Sequence, residues 1–262
     1  MGHDHRLRLA HDLGVLSAAL SRRELLGFLG GAGALALIGC DGGAAAPDAS
    51  TADPRCMRIP EETAGPYPGD GTNGKNALAL AGIMRSDIRS SIGGASGVAA
   101  GVPLTVTLTI LNSAGCAPLA GRAVYLWHCT REGDYSMYSA AVANENFLRG
   151  VQITSAEGKV TFTTIFPGCY PGRWPHMHFE IYPDVASATN GTLATATSQL
   201  ALPEGICDEV YATTEYVASA GSLSAIRLTT DSVFSDGADR QVATITGTNA
   251  GYAAALTLGI SV

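Results

Sequence analysis

From Pro103 onward the chain is written in short runs of β-branched and aromatic residues, each cut off by Gly, Pro, Asn or Asp before a helix could develop. The run PLTVTLTIL, Pro103 to Leu111, sets Leu, Val, Leu and Ile alternately against Thr, the pattern of a strand with one buried face. RAVYLWH, GKVTFTTIF, HMHFEIY, AIRLTT, QVATITG and YAAALTLGI follow at intervals that suit sheets. In TSAEGKV, Thr154 to Val160, the pair Glu157-Gly158 stands where a hairpin turn is expected. After the first forty residues there is neither a long segment of 3.6-residue period nor a repeat of fixed length. With 262 residues, 46% hydrophobic, the chain can bury one substantial core. The expected fold class is all-β, a single β-sandwich over residues 55–262, with a loop-rich N-terminal arm from Cys56 to about Val98.

The beginning of the chain reads as a processing segment. Ser21-Arg22-Arg23-Glu24-Leu25-Leu26 looks like a twin-arginine export signal, and Leu37-Ile38-Gly39-Cys40 looks like a lipobox. The apolar run of 14 residues from Leu25 to Ile38 is too short to span a bilayer, and its four glycines disfavour a core helix. Residues 1–39 are therefore expected to be removed and Cys40 to carry lipid, with residues 40–54 as a tether. That places the folded part outside the cytoplasm, in the periplasm or on the cell surface, attached to a membrane through Cys40.

Without residues 1–39 the chain keeps 12 basic and 20 acidic residues, a net charge near −8. No basic stripe is present, so nucleic acid and anionic headgroups are poor partners. Five cysteines follow Cys40, namely Cys56, Cys116, Cys129, Cys169 and Cys207. In an oxidising compartment they allow up to two disulfides, and none has the CxxC spacing of a structural zinc site.

Only three histidines lie beyond residue 40, and two of them are His176 and His178. In a strand, positions i and i+2 face the same way, so both imidazoles point at one spot with their Cα atoms about 6 to 7 Å apart. Two half-exposed strand histidines would give the same pattern. Glu180 shares that face, but it lies about 13 Å from His176 along an extended strand, too far for both to bind one metal. Other donors must come from elsewhere. Tyr170 precedes His176 across a loop rich in Pro and Gly, and Tyr135 follows RAVYLWH just after a glycine turn. Two phenolates with two imidazoles form a hard, anionic set suited to iron(III).

ETAGPYP, LWHCTREGDYS and FPGCYPGRWPHMHF, in that order, resemble the intradiol ring-cleavage dioxygenases, and TSQLALPEGICDEVY also fits. The resemblance implies a transthyretin-like (prealbumin-like) β-sandwich holding Fe(3+) through Tyr135, Tyr170, His176 and His178. It implies cleavage of a catechol-type ring with O2 to a muconate-type diacid. Tyr170 would be the tyrosine that gives way to substrate and takes up a proton. Arg173 would stabilise charge on the ring, and Gln199 corresponds to the family's glutamine on a later strand. Gly172 stands where soluble members often carry a bulkier residue, which leaves the substrate open. Cys129 and Cys169 read as disulfide or packing residues, and His128 as structural. The competing readings are a surface lipoprotein that binds iron or polyphenols without turnover, and a zinc hydrolase using Glu180.

Overall fold

The computed structural model describes residues 53–262. Cys40, the twin-arginine motif and residues 40–52 of the tether lie outside the described residues.

Among the described residues eight strands form two four-stranded sheets. The first sheet has the order β4-β1-β8-β7, from β1 (Pro103–Asn112), β4 (Lys159–Ile165), β7 (Thr244–Thr248) and β8 (Gly251–Ile260). The second has the order β3-β2-β5-β6, from β2 (Ala123–Trp127), β3 (Arg149–Ile153), β5 (His176–Tyr182) and β6 (Ala196–Ala201). All neighbours are antiparallel except β1 and β8. Two eight-residue helices, α1 (Glu204–Tyr211) and α2 (Val217–Ser224), follow β6. Among the described residues no helix is long and apolar enough to cross a membrane.

β1 buries Leu104, Val106, Leu108 and Ile110 and leaves its threonines part-exposed, as its alternation predicts. Each such aliphatic side chain contributes about 1.5–3 kcal/mol on burial. Those side chains belong to one core with Met177, Phe179 and Ile181 of β5. The opposite face of the second sheet is buried too. Tyr125, Trp127 and Tyr182 lie there under Ala64, Tyr67, Leu78 and Ile83. The alternation in β5 thus gives its odd positions to the core and its even positions, His176, His178, Glu180 and Tyr182, to a covered outer layer. A slip of one residue would exchange the two sets, so the imidazoles' direction is fixed by the same packing that forms the core.

Residues 53–102 form no named strand and lie along both sheets through isolated bridges, among them Arg58 to Gly259, Met84 to Val151 and Asp87 to Thr163. A disulfide joins Cys56 to Cys116, Cα atoms 5.2 Å apart. Cys129, Cys169 and Cys207 are free and buried, so no second disulfide forms among the described residues.

Two sequence expectations are corrected. TSAEGKV does turn, with Ser155 N–H donating to Lys159 O at 2.9 Å, but β3 and β4 on either side belong to different sheets, so the turn is a crossover and no hairpin. Gly158, at φ +72°, docks this turn on β1: a Cβ there would come within 2.4 Å of Ile110 O. AIRLTT forms no strand. Its end is a 3-10 turn, Leu228–Thr230, held by a reciprocal bond between the Arg227 backbone and the Thr230 hydroxyl. Conversely, β3 and β6 form without a clear alternation. β6 carries Ser198 and Gln199, buried because each finds a backbone partner.

Candidate metal centre

Three pieces of chain meet above the N-terminal end of β5. The loop after β2 closes through Thr130 N–H to Asp134 O at 2.7 Å and presents Tyr135. The loop after β4 presents Tyr170, and the two loops are tied by Gly168 N–H to Thr130 O at 2.9 Å. β5 supplies His176 and His178, the latter paired in register with Trp127 on one side and Gln199 on the other.

The four side chains expected from the sequence converge in a closed ring. Tyr135 Oη lies 3.4 Å from Tyr170 Oη and 3.3 Å from His178 Nε2. Tyr170 Oη lies 3.2 Å from His176 Nε2, and the two Nε2 atoms are 3.0 Å apart. Four donors bound tetrahedrally at 2.0–2.1 Å would be spaced by about 3.3 Å, so one ion fits between them. Among the described residues no group of three His, Cys, Asp or Glu could hold a metal, which leaves this mixed oxygen and nitrogen set as the candidate. Two hard oxygens and two imidazoles suit iron(III) better than zinc.

Local contacts prepare the donors. His176 Nδ1 donates to Trp174 O at 2.5 Å, which leaves the Nε2 lone pair turned into the ring. Burial, and then the Arg173 charge, holds His176 well below the ordinary imidazole range. Burial, and then His176, does the same for His178. Both rings are therefore neutral and able to ligate at neutral pH. Burial pushes the Tyr135 phenol well above its usual range, with Tyr170 adding to the effect. A bound cation would have to displace that proton.

His178 is oriented differently from His176. Its Nδ1 is buried and has no hydrogen-bond partner among the described residues. The ring instead stacks on Trp127, centroids 5.0 Å apart and planes 8° apart. Gly65 also lies against the ring at φ +72°, where a Cβ would lie 3.3 Å from His178 Cε1. Tyr67, from the same ETAGPYP segment, packs its ring 5.0 Å from that of Tyr135.

Arg173 lies beside the donors, with Nη1 3.4 Å from His176 Nε2. Its Nη2 donates to Gln199 Oε1 at 2.6 Å, and Gln199 Nε2 donates to Thr63 O at 2.8 Å. Its Nε donates to Asp231 Oδ2 at 2.9 Å. Burial disfavours the guanidinium, but Tyr170 and Asp231 outweigh it and raise the Arg173 pKa. Asp231, Trp127 and Gly65 were not singled out in the sequence. ETAGPYP carries a signal for Gly65, whereas Asp231 stands just after AIRLTT, outside every segment read as a strand or a motif.

Other candidates lie apart. Glu180 accepts from Tyr182 Oη at 2.5 Å, away from the four donors. His128 is buried between Cys129 O and Thr164 Oγ1, both at 2.7 Å, a structural placement. The Cys129 and Cys169 thiols donate to Gly168 O and Arg173 O, each at 3.5 Å.

The chain is similar to known proteins across this region. A family model described as Dioxygenase matches residues 84–186, which include all four donors and Arg173. A chlorocatechol 1,2-dioxygenase of Rhodococcus opacus is 34% identical over 53 residues, 20% of this chain and 21% of that enzyme, so the match spans about a fifth of its length. The intradiol ring-cleavage dioxygenase of Tetranychus urticae superposes with a TM-score of 0.61 at 25% identity, over 79% of this chain and 95% of that one. The family model, the curated relative and the solved structure all indicate the intradiol ring-cleavage dioxygenases as the proteins to which this chain is similar.

Proposed function

We propose that this protein is a non-haem iron(III) dioxygenase that opens a catechol-type ring between its hydroxyl-bearing carbons, with O2, to a muconate-type diacid. The observation that carries this reading is the closed ring of Tyr135, Tyr170, His176 and His178 donor atoms with Arg173 Nη1 beside it. Likeness to a chlorocatechol 1,2-dioxygenase supports a catechol-type substrate.

When bound, iron(III) would supply the Lewis-acid chemistry that makes the ring reactive toward O2. The protein's own residues do the rest. His176 and His178 stay neutral and keep their Nε2 lone pairs inward. Tyr170, part-buried at the edge of the ring, is the phenol that takes up a proton at Oη when substrate enters. Arg173 points Nη1 toward the reacting region, where a preorganised donor stabilises developing negative charge. Gln199 holds the guanidinium and is itself tied to Thr63.

The same reading assigns the sandwich to the transthyretin-like type and residues 53–102 to an arm that roofs the centre. It also keeps the N-terminal signal: residues 1–39 direct twin-arginine export and Cys40 carries the lipid, supported by the SRRELL and LIGC motifs. Mass analysis of the N-terminal peptide from cells would find a lipidated Cys40, and an intact Met1 terminus would rule this out.

The test of function is turnover of catechol under 18O2. A diacid carrying both labelled oxygens supports the dioxygenase. Binding of catechol with no labelled product would leave a non-catalytic iron- or polyphenol-binding protein.

A further inference from the structure

We propose that Asp231 is the positioning residue that aims Arg173 at the donor ring. This rests on the dioxygenase reading above, and it brings the C-terminal part of the chain, beyond the residues the family model matches, into the site.

The guanidinium is a planar fork whose N–H groups point in fixed directions. Its Nε donates to Asp231 Oδ2 at 2.9 Å and its Nη2 to Gln199 Oε1 at 2.6 Å. These two anchors grip the same edge of the fork. Nη1 is left on the opposite side, 3.4 Å from His176 Nε2. Gln199 alone would hold one corner and let the plane pivot. Asp231 supplies the second point that fixes it.

Asp231 is well placed for this task because it is itself buried and held by four hydrogen bonds. Its side chain is 0% exposed, against 12% for Arg173. Oδ2 also accepts from Trp174 N–H at 2.7 Å, so one oxygen holds both the arginine side chain and the backbone next to it. Oδ1 accepts from Val233 N–H at 2.8 Å and Phe234 N–H at 3.2 Å. The turn so made places the Phe234 ring 6.4 Å from that of His176. A carboxylate buried this deeply is retained only with full pairing, and Arg173 is its charged partner. The negative charge also neutralises Arg173 on the side away from the donors.

A simple turn-capping role would explain the bonds to Val233 and Phe234 but not the grip on Arg173, and the two roles separate by experiment. Asp231→Asn keeps the size and an oxygen for the two amides while removing the charge. In the metal-free protein, the Arg173 Nε–H signal in 15N NMR should exchange slowly, and about tenfold faster in Asp231→Asn. In the iron-loaded protein, Asp231→Asn should lose about 10–100-fold in kcat, with KM little changed. If Asp231 acts through Arg173, the double variant Asp231→Asn/Arg173→Met will be no slower than Arg173→Met alone. Multiplying losses in the double variant, or unchanged Arg173 Nε–H exchange in Asp231→Asn, would overturn the proposal. Should Arg173→Met not fold, the exchange measurement on Asp231→Asn decides. A wild-type protein that cleaves no catechol would refute the dioxygenase reading, while the same exchange measurement would still settle whether Asp231 holds Arg173.

Discussion

Replacing Glu180 by glutamine should remove the loss of stability that this carboxyl imposes as pH rises from about 5.5 to about 7.5. Glu180 is 1% exposed, accepts from Tyr182 Oη at 2.5 Å, and lies near the equally buried Asp70. Burial raises its pKa from 4.5 to about 8; the Tyr182 hydrogen bond opposes the rise and Asp70 adds to it. A carboxyl that binds its proton more tightly when folded stabilises the native state fully below its unfolded pKa. That stability is then lost as pH rises through the folded value. Within this window the loss is about 1.4 kcal/mol per pH unit, so between pH 5.5 and 7.5 Glu180 withdraws about 2–3 kcal/mol. Glutamine keeps an acceptor for Tyr182 and does not titrate. Urea unfolding of both metal-free proteins across that range isolates the effect, because the buried histidines titrate alike in each and cancel in the difference. The glutamine variant should gain on the wild type by about 2–3 kcal/mol over the two pH units. Parallel curves would show that Glu180 is ionised in the folded protein and would refute the argument.

The disulfide between Cys56 and Cys116 closes a span of 60 residues. Removing it with Cys56→Ala/Cys116→Ala should cost about 2–4 kcal/mol in urea unfolding, with an unchanged value contradicting its role in pinning the N-terminal segment. Gly65→Ala should cost about 1–2 kcal/mol, since a Cβ at positive φ is strained and this one meets His178. A calorimetric Tm equal to the wild type would show that the roof yields freely. Trp127→Leu should weaken iron retention against a chelator about 10–100-fold by freeing the His178 ring, while Trp127→Phe keeps most of it. Equal retention in both variants would remove the stacking argument.

The parts of the fold legible in the sequence were those where one physical demand dominates. β1 shows its alternation because one face meets the core and the other meets water. β2 and β5 are buried on both faces, so β-branched and aromatic content marks them where alternation in polarity does not. β6 is not marked by its own pattern, and only the resemblance put Gln199 on a strand, because its polar residues are paired through contacts with Pro60 and Thr63, well over a hundred positions away. AIRLTT misled through composition: its threonine and leucine suit a strand, yet the Thr230 hydroxyl competes for the local backbone and winds a turn.

At the site, the spacing of His176 and His178 announced a shared face, and the motifs around Tyr135 and Tyr170 supplied the rest. Asp231 had no such signal. It reaches Arg173 across 58 residues, and nothing in the local sequence TTDSV points to that contact. Trp127 was hidden for a related reason. A tryptophan in a strand reads as core, and only the register with His178 shows which ring it supports.

The central claim is that two tyrosines and two histidines hold iron(III) in reach of a catechol, and metal analysis with a visible spectrum tests it most directly. The purified protein should carry iron and show a tyrosinate-to-iron(III) charge-transfer band. That band should move to longer wavelength when catechol is added without oxygen. A colourless protein that takes up zinc or no metal after iron loading would contradict the account, because the same four donors would then be no more than a hydrogen-bonded cluster.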